Sequence, residues 1–419
     1  MAKTIQTRRI RGLSKAYLNK DIAYQIGLHL KSVFKLDSIL IGTTDQTENT
    51  DTFNALIEGC KDTAQHVRVC EDIPPVLFSY YTETQNTFGV ILFNDGDQSR
   101  LKFYQNGLEL FDQTLLKLTH ALTEPVELSN DAKEVTVIDD ETFTKNYQTQ
   151  FQTMALEPIN LSIAYVLPNK VNHDYIKDIL DNICDEVYEA KDYLDLQRTV
   201  STNKCDIGFY FDDFGERLTV IDHLAIEHHG DHILYLISKF YKDNDLLHKN
   251  TVVISNMINP GVLKAFKDLG IKTERVSHSE MHILDVMNKS NYTLAATREG
   301  LMVLNPLRNT SDALLSAVAI MLGLQQTKQT VNTLLKDVAL YPESTLLYKD
   351  IEPSVIDHKV FKAKVKELQK KTALEGVFSV YYETDTQTLH AYLSHSDELT
   401  LQHYEQEFQA VLEKLNEFD

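Results

Sequence analysis

Along the 419 residues, short apolar runs alternate with segments whose apolar residues recur every three or four positions. The runs predict buried strands and the recurrences predict amphipathic helices. Ile22, Ala23, Ile26, Leu30 and Val33 fall on one face of a predicted helix, with Asn19 placed to cap it. A strand is predicted at 38–41, a helix at 52–64 and a buried strand at 89–93. Strands at 161–167 and 207–211 mark a second α/β unit. A strand at 251–255 followed by a helix at 260–269 marks a third. The segment 312–322 is apolar on most faces, which predicts a helix buried all round.

The C-terminal part reads as helix 359–371, strand 377–382, turn 383–387, strand 388–393 and a last helix. In that helix Leu401, Tyr404, Phe408, Val411 and Leu415 form a stripe, with Ser396 as the predicted cap. Two polar, acidic stretches, about 124–147 and 341–358, read as boundaries. The expectation is an α/β protein of three mixed units, 1–140, 148–247 and 248–345, followed by a small α+β unit at 350–419.

Charge and composition narrow the function classes. With 41 Lys and Arg against 61 Asp and Glu, the formal charge is −20, which argues against nucleic acid or an anionic membrane as partner. Glycine is 15 of 419, roughly half the usual ~7%, so glycine-rich phosphate loops are scarce. Cys60, Cys70, Cys184 and Cys205 make no C-x-x-C pair; reduced thiols and a cytoplasmic location are expected. Arg8, Arg9 and Arg11 precede no apolar stretch, so no secretory leader is expected. The most apolar helical stretch, 313–324, is too short to span a bilayer.

Several segments carry a resemblance. Residues 204–218 read K-C-D-I-G-F-Y-F-D-D-F-G-E-R-L, followed by V-I-D at 220–222 and G-D at 230–231. Residues 309–315 read N-T-S-D-A-L-L, and 7–12 read T-R-R-I-R-G. In this order they resemble the α-D-phosphohexomutase superfamily, with the nearest likeness to the bacterial phosphoglucosamine mutases. The resemblance implies a four-domain fold in which a phosphoserine and a Mg²⁺ ion move a phosphoryl group between two sugar hydroxyls. Such chemistry is mostly positioning and charge neutralisation.

Each functional element departs from the pattern the resemblance implies. The strand 89–92 should lead into a phosphoserine loop, yet Asp95 stands at the serine position and the loop is about three residues short. Asp95 is either a carboxylate nucleophile or part of an acidic turn, and the turn is the favoured reading. Three alternate aspartates should hold the metal; here the positions are Asp212, Phe214 and Glu216. A weak Mg²⁺ site on Asp212 and Glu216 or a remodelled surface loop are both open, the second favoured. The sugar-reading loop becomes A-T-R-E-G at 296–300, where Thr297, Glu299 and Gly300 are the ligand-binding candidates. A phosphate-binding G-D-R becomes Ser279-Glu280-Met281. The last domain's arginine-bearing clamp becomes Y-Y-E-T-D-T-Q-T-L-H at 381–390, in which Glu383 and Asp385 would repel phosphate. Arg11 and Lys102 match basic residues of the family's site and complete the ligand-binding candidates.

Glu227-His228-His229-Gly230-Asp231-His232 reads either as a metal cluster or as a helix start capped by Asp231. The combined expectation is a non-catalytic phosphohexomutase-like protein that senses a phosphosugar or regulates a true mutase or another cell-envelope enzyme. It needs no cofactor. The alternatives are an active Mg²⁺-dependent mutase with a remodelled site, and an interaction module with an empty cleft.

Overall fold

The computed structural model describes residues 18–63, 65–95, 98–110, 112–129, 135–138, 141–167, 173–277, 280–383 and 387–416. Four sheets follow one another along the chain. The first has six strands in the order Leu108–Glu109, Gln98–Gln105, Phe88–Asp95, Ser38–Thr43, His66–Cys70 and Val135–Val137. Its central strands are parallel, and Phe88–Asp95 turns back on Gln98–Gln105 as an antiparallel hairpin. The second sheet runs Glu227–His228, Leu218–Asp222, Ile207–Phe211, Ile159–Val166 and Cys184–Glu189. The third runs Lys272–Val276, Thr251–Ser255, Leu294–Ala296 and Met302–Leu304. The fourth has three strands, Glu343–Tyr348, Thr388–His395 and Gly376–Glu383.

Local signals explain most of the elements. Asn19 Oδ1 accepts the Ile22 N–H at 3.0 Å and starts the Lys20–Phe34 helix. The helix Ala313–Thr327 is buried on nearly every face, as its unbroken apolar composition predicts. It begins at Asp312, whose Oδ1 accepts the Leu315 N–H at 3.0 Å.

One reading needs correction, and the two boundary stretches carry elements of their own. The last helix, Glu398–Asn416, is started by Asp397, which accepts the Thr400 N–H at 2.8 Å; Ser396 instead donates its hydroxyl to Glu375. The two acidic stretches are not plain linkers. The first contains the edge strand Val135–Val137 and the start of the helix Glu141–Met154, whose Tyr147 is fully buried. The second contains Glu343–Tyr348, half of whose residues are exposed, so its polar alternation is that of a strand with one face in water.

One hydrophobic core runs through the first three units, from Leu40 and Phe78 to Leu335 and Val338. The fourth unit has its own core around Phe361, Phe378 and Phe408. It meets the third through a small cluster of Met257, Val377 and Tyr392, so polar contacts carry much of its placement. Cys60, Cys70, Cys184 and Cys205 are buried thiols outside any disulfide. No helix among the described residues is long and apolar enough to cross a membrane.

Candidate functional site

The carboxyl ends of the first and second sheets converge where two hairpins meet. In the first sheet, the ladder between Phe88–Asp95 and Gln98–Gln105 continues to the pair Asp95–Gln98. Only residues 96 and 97 remain to connect the strands. The backbone of Asp95 is thus built into a strand end rather than carried on a projecting loop. Ser99, the nearest hydroxyl in sequence, is buried and donates to Asn94 Oδ1 at 3.1 Å. Arg11 lies outside the described residues.

In the second sheet, Ile207–Phe211 and Leu218–Asp222 form the other hairpin, and its turn holds the expected metal positions. Asp212 Oδ1 accepts the N–H groups of Glu216 at 2.8 Å and Arg217 at 3.1 Å. The carboxylate that could face a metal is therefore stapling its own turn. Burial and the nearby Glu216 push the Asp212 carboxyl up to about 6, against the two amide hydrogen bonds. The turn is not a free surface loop. Ala313 N–H donates to the Gly215 carbonyl at 2.9 Å, and the Ser311 hydroxyl donates to the Glu216 carbonyl at 2.6 Å. The N-T-S-D segment at 309–312 thus serves as the brace that fixes this hairpin.

Lys102 bridges the two sheets. Its ammonium forms an ion pair with Glu216 and lies 3.6 Å from Glu109. Burial by itself would depress this ammonium, but Glu109 and Glu216 outweigh it and hold Lys102 well above its usual range. Phe93 and Phe214 pack beside this ammonium, edge to face with centroids 5.0 Å apart. Lys102 Nζ sits 5.3 Å from the Phe214 ring centroid and 6.0 Å from that of Phe93. Mg²⁺ takes several oxygens in near-octahedral geometry and keeps some of its waters. Here one ligand position is an aromatic ring, one carboxylate holds its own backbone, and one is paired with an ammonium. These residues do not fit Mg²⁺.

The sugar-loop candidates lie on the short turn between Leu294–Ala296 and Met302–Leu304. Thr297 N–H donates to the Leu301 carbonyl at 3.0 Å and Gly300 N–H to the Thr297 carbonyl at 3.2 Å. Gly300 has φ +87°, which a side chain would strain. Thr297 is buried and Glu299 exposed. Between them Arg298 reaches the fourth unit: it pairs with Glu343 and lies 4.5 Å over the Tyr392 ring. Glu343 also accepts from Asn259 Nδ2 at 3.0 Å and from the Tyr392 hydroxyl at 2.8 Å. The turn therefore acts as a clamp between the third and fourth units.

Asp231 belongs to this region and is not a cap. His229 occupies the cap position of Gly230–Asp243, and Asp231 Oδ1 accepts the Asn259 N–H at 3.1 Å. Burial pushes the Asp231 carboxyl up to about 7, and Glu343 adds to the rise, while the Asn259 bond opposes it. A carboxyl whose folded pKa is raised contributes stability that is full below about 4 and lost as pH rises towards 7. Asp231→Asn removes this dependence. Its Tm relative to wild type should rise steadily between pH 4 and pH 7. A flat difference across that window, followed by thermal unfolding, would contradict the assignment.

The histidines form a chain rather than a cage. His228 Nε2 lies 3.1 Å from Asp222 Oδ2, and its Nδ1 lies 3.2 Å from His232 Nδ1. Burial, with His228 and His229 close by, lowers His232 to about 4. Among the described residues no three His, Cys, Asp or Glu side chains converge as metal ligands.

Several contributors had no sequence signal. Arg308 is wholly buried and bonds Glu83 and Asp312, each at 3.0 Å, as well as the Ser79 hydroxyl. Tyr147 completes this group by donating to Asp312 Oδ2 at 2.7 Å. Glu109 sits on a two-residue edge strand that no periodicity marks.

Residues 229–341 match the family model "Phosphoglucomutase/phosphomannomutase, alpha/beta/alpha domain III". The chain is 24% identical over 372 residues to a phosphoglucosamine mutase of Alkaliphilus metalliredigens, covering 82% of this chain and 83% of that protein. A phosphoglucomutase/phosphomannomutase family protein of Burkholderia thailandensis superposes with TM-score 0.78 at 14% identity over 98% of both chains. An Aspergillus fumigatus N-acetylphosphoglucosamine mutase, solved with GlcNAc-6P and magnesium, superposes with TM-score 0.62 at 11% identity. It covers 81% of this chain and 93% of that one. Residues 229–341 are thus similar to a phosphohexomutase domain III, the chain is similar over most of its length to phosphoglucosamine mutases, and it shares the fold of the phosphohexomutase structures it superposes on.

Proposed function

We propose that this protein is a non-catalytic member of the superfamily that acts by binding. Its partner is a phosphosugar, or a true mutase or other enzyme of cell-envelope precursor synthesis. The observation that carries the reading is the hairpin ladder that runs to Asp95–Gln98. It leaves a connection of Gly96 and Asp97, with no hydroxyl to accept a phosphoryl group. The paired state of Glu216 and the stapled state of Asp212 support the same reading. Phosphoryl transfer draws its rate from a positioned nucleophile and from cations on the transferring group. Among the described residues, the strand-end pair Asp95–Gln98 carries no hydroxyl, and the cation at the two hairpins, Lys102, is paired with Glu216 and Glu109.

The expected result is no interconversion of hexose or hexosamine phosphates, with Mg²⁺ present, above a protein-free control. Turnover that disappears in Asp95→Ala would overturn the reading. Thermal unfolding against the same compounds then separates the two kinds of partner. A ligand specific to the folded state stabilises it by about 2.7 kcal/mol at a hundredfold excess over its Kd. A saturable shift identifies a phosphosugar, and no shift directs the search to proteins recovered from native extracts.

A further inference from the structure

We infer that the Lys102 ammonium is a built-in cation that takes the charge-neutralising place of a divalent metal at the meeting of the two hairpins. The inference rests on the non-catalytic reading of the same site. Two carboxylates meet Lys102 where the two hairpins come together, and Asp212 stands on the same turn as one of them, Glu216. Glu216 and Glu109 share Lys102, with Glu109 3.6 Å away. Asp212 Oδ1 accepts two backbone N–H groups, at 2.8 and 3.1 Å.

The walls select the same kind of ion. Phe93 and Phe214 present ring faces within 6.0 Å of the ammonium. Aromatic faces stabilise a cation that has shed its water. Mg²⁺ dehydrates reluctantly and would need room for its waters where the rings stand. A divalent ion at Asp212 and Glu216 would also meet the ammonium as a like charge in a poorly solvated site. The ion pair joins residues 114 positions apart, from the first and second sheets. Lys102 thereby holds two units together at the point where a metal would otherwise sit between them.

The test uses Mn²⁺ and Mg²⁺ titrations of the full chain, read by calorimetry and by Tm. Wild type is expected to show no saturable binding and no Tm rise with millimolar Mn²⁺. Phe214→Asp alone, which keeps the ammonium, is expected to behave like wild type. Lys102→Ala combined with Phe214→Asp is expected to bind Mn²⁺ saturably, with a Tm rise absent from the other two proteins. Saturable Mn²⁺ binding by wild type that is lost in Asp212→Asn would overturn the inference. So would binding by Phe214→Asp with Lys102 intact, or a folded double variant, judged by circular dichroism, that binds no Mn²⁺. Turnover by wild type would remove the non-catalytic reading, whereas Mn²⁺ binding without turnover would remove only the built-in cation.

Discussion

Replacing Arg308 by methionine is expected to destabilise the protein by about 3–5 kcal/mol, the cost of breaking a buried ion pair from one side. Arg308 has no exposed side-chain surface. Its guanidinium bonds Glu83 and Ser79 on the helix Pro75–Thr84 and Asp312 at the start of Ala313–Thr327. It also lies 5.3 Å over the Tyr80 ring. Removing it leaves the almost fully buried Asp312 without its cation, and Asp312 must still cap its helix and accept from Tyr147. Lysine should not rescue the loss, because one ammonium cannot reproduce a fork that reaches three partners. The effect should spread beyond the site, since the network ties the first unit to the helix that braces the Asp212 turn. Denaturant unfolding followed by fluorescence and circular dichroism would measure it. An Arg308→Met protein with wild-type midpoints would show that the network is energetically idle.

Gly230→Ala is expected to cost about 3 kcal/mol, the upper range for overpacking, and to loosen the fourth unit. A Cβ at residue 230 would lie 2.1 Å from the Arg298 carbonyl oxygen and 2.9 Å from the Gly300 nitrogen. Both contacts are backbone, so no side-chain rotation relieves them. The turn 297–300 must move away from the helix, and the Arg298–Glu343 pair moves with it. The fourth unit has a separate core and few apolar contacts with the third, so displacing this clamp should raise the radius of gyration in small-angle scattering. Gly323→Ala is the control. It lies within the helix Ala313–Thr327, its nearest contact would be 3.4 Å, to the Phe240 side chain of the neighbouring helix Gly230–Asp243, and it should be neutral or stabilising by up to about 1 kcal/mol. Equal losses in both variants would mean that helix propensity, rather than the contact with the turn 297–300, governs the outcome.

The elements were legible because their signals are local. The strands 207–211 and 251–255 coincide with the observed Ile207–Phe211 and Thr251–Ser255. The Asn19 cap and the all-apolar helix at 313–327 follow from neighbours a few residues apart. The shortened loop at Asp95 was also legible, as a missing stretch against a family pattern. Polar strands were not, since Glu343–Tyr348 carries a boundary composition and becomes a strand only by pairing with Thr388–His395. Caps shifted by one or two residues at Ser396 and Asp231 for a similar reason. Several side chains near a helix start can accept its N–H groups, and tertiary partners such as Asn259 and Glu375 decide which does.

For the candidate site, what was legible in the sequence is a set of departures from the pattern the resemblance implies: the serine position, two of the three aspartate positions and the arginine positions of two phosphate loops carry other residues. Which charges meet there instead was decided only in three dimensions. Lys102 meets Glu216 across 114 positions, Arg298 meets Glu343 across 45, and Arg308 meets Glu83 across 225. Hydrophobic periodicity reports which face of an element is buried, because burial of apolar area depends on the element alone. The pairing of charges depends on which elements the fold brings together, and low-dielectric surroundings make that pairing decisive once they meet.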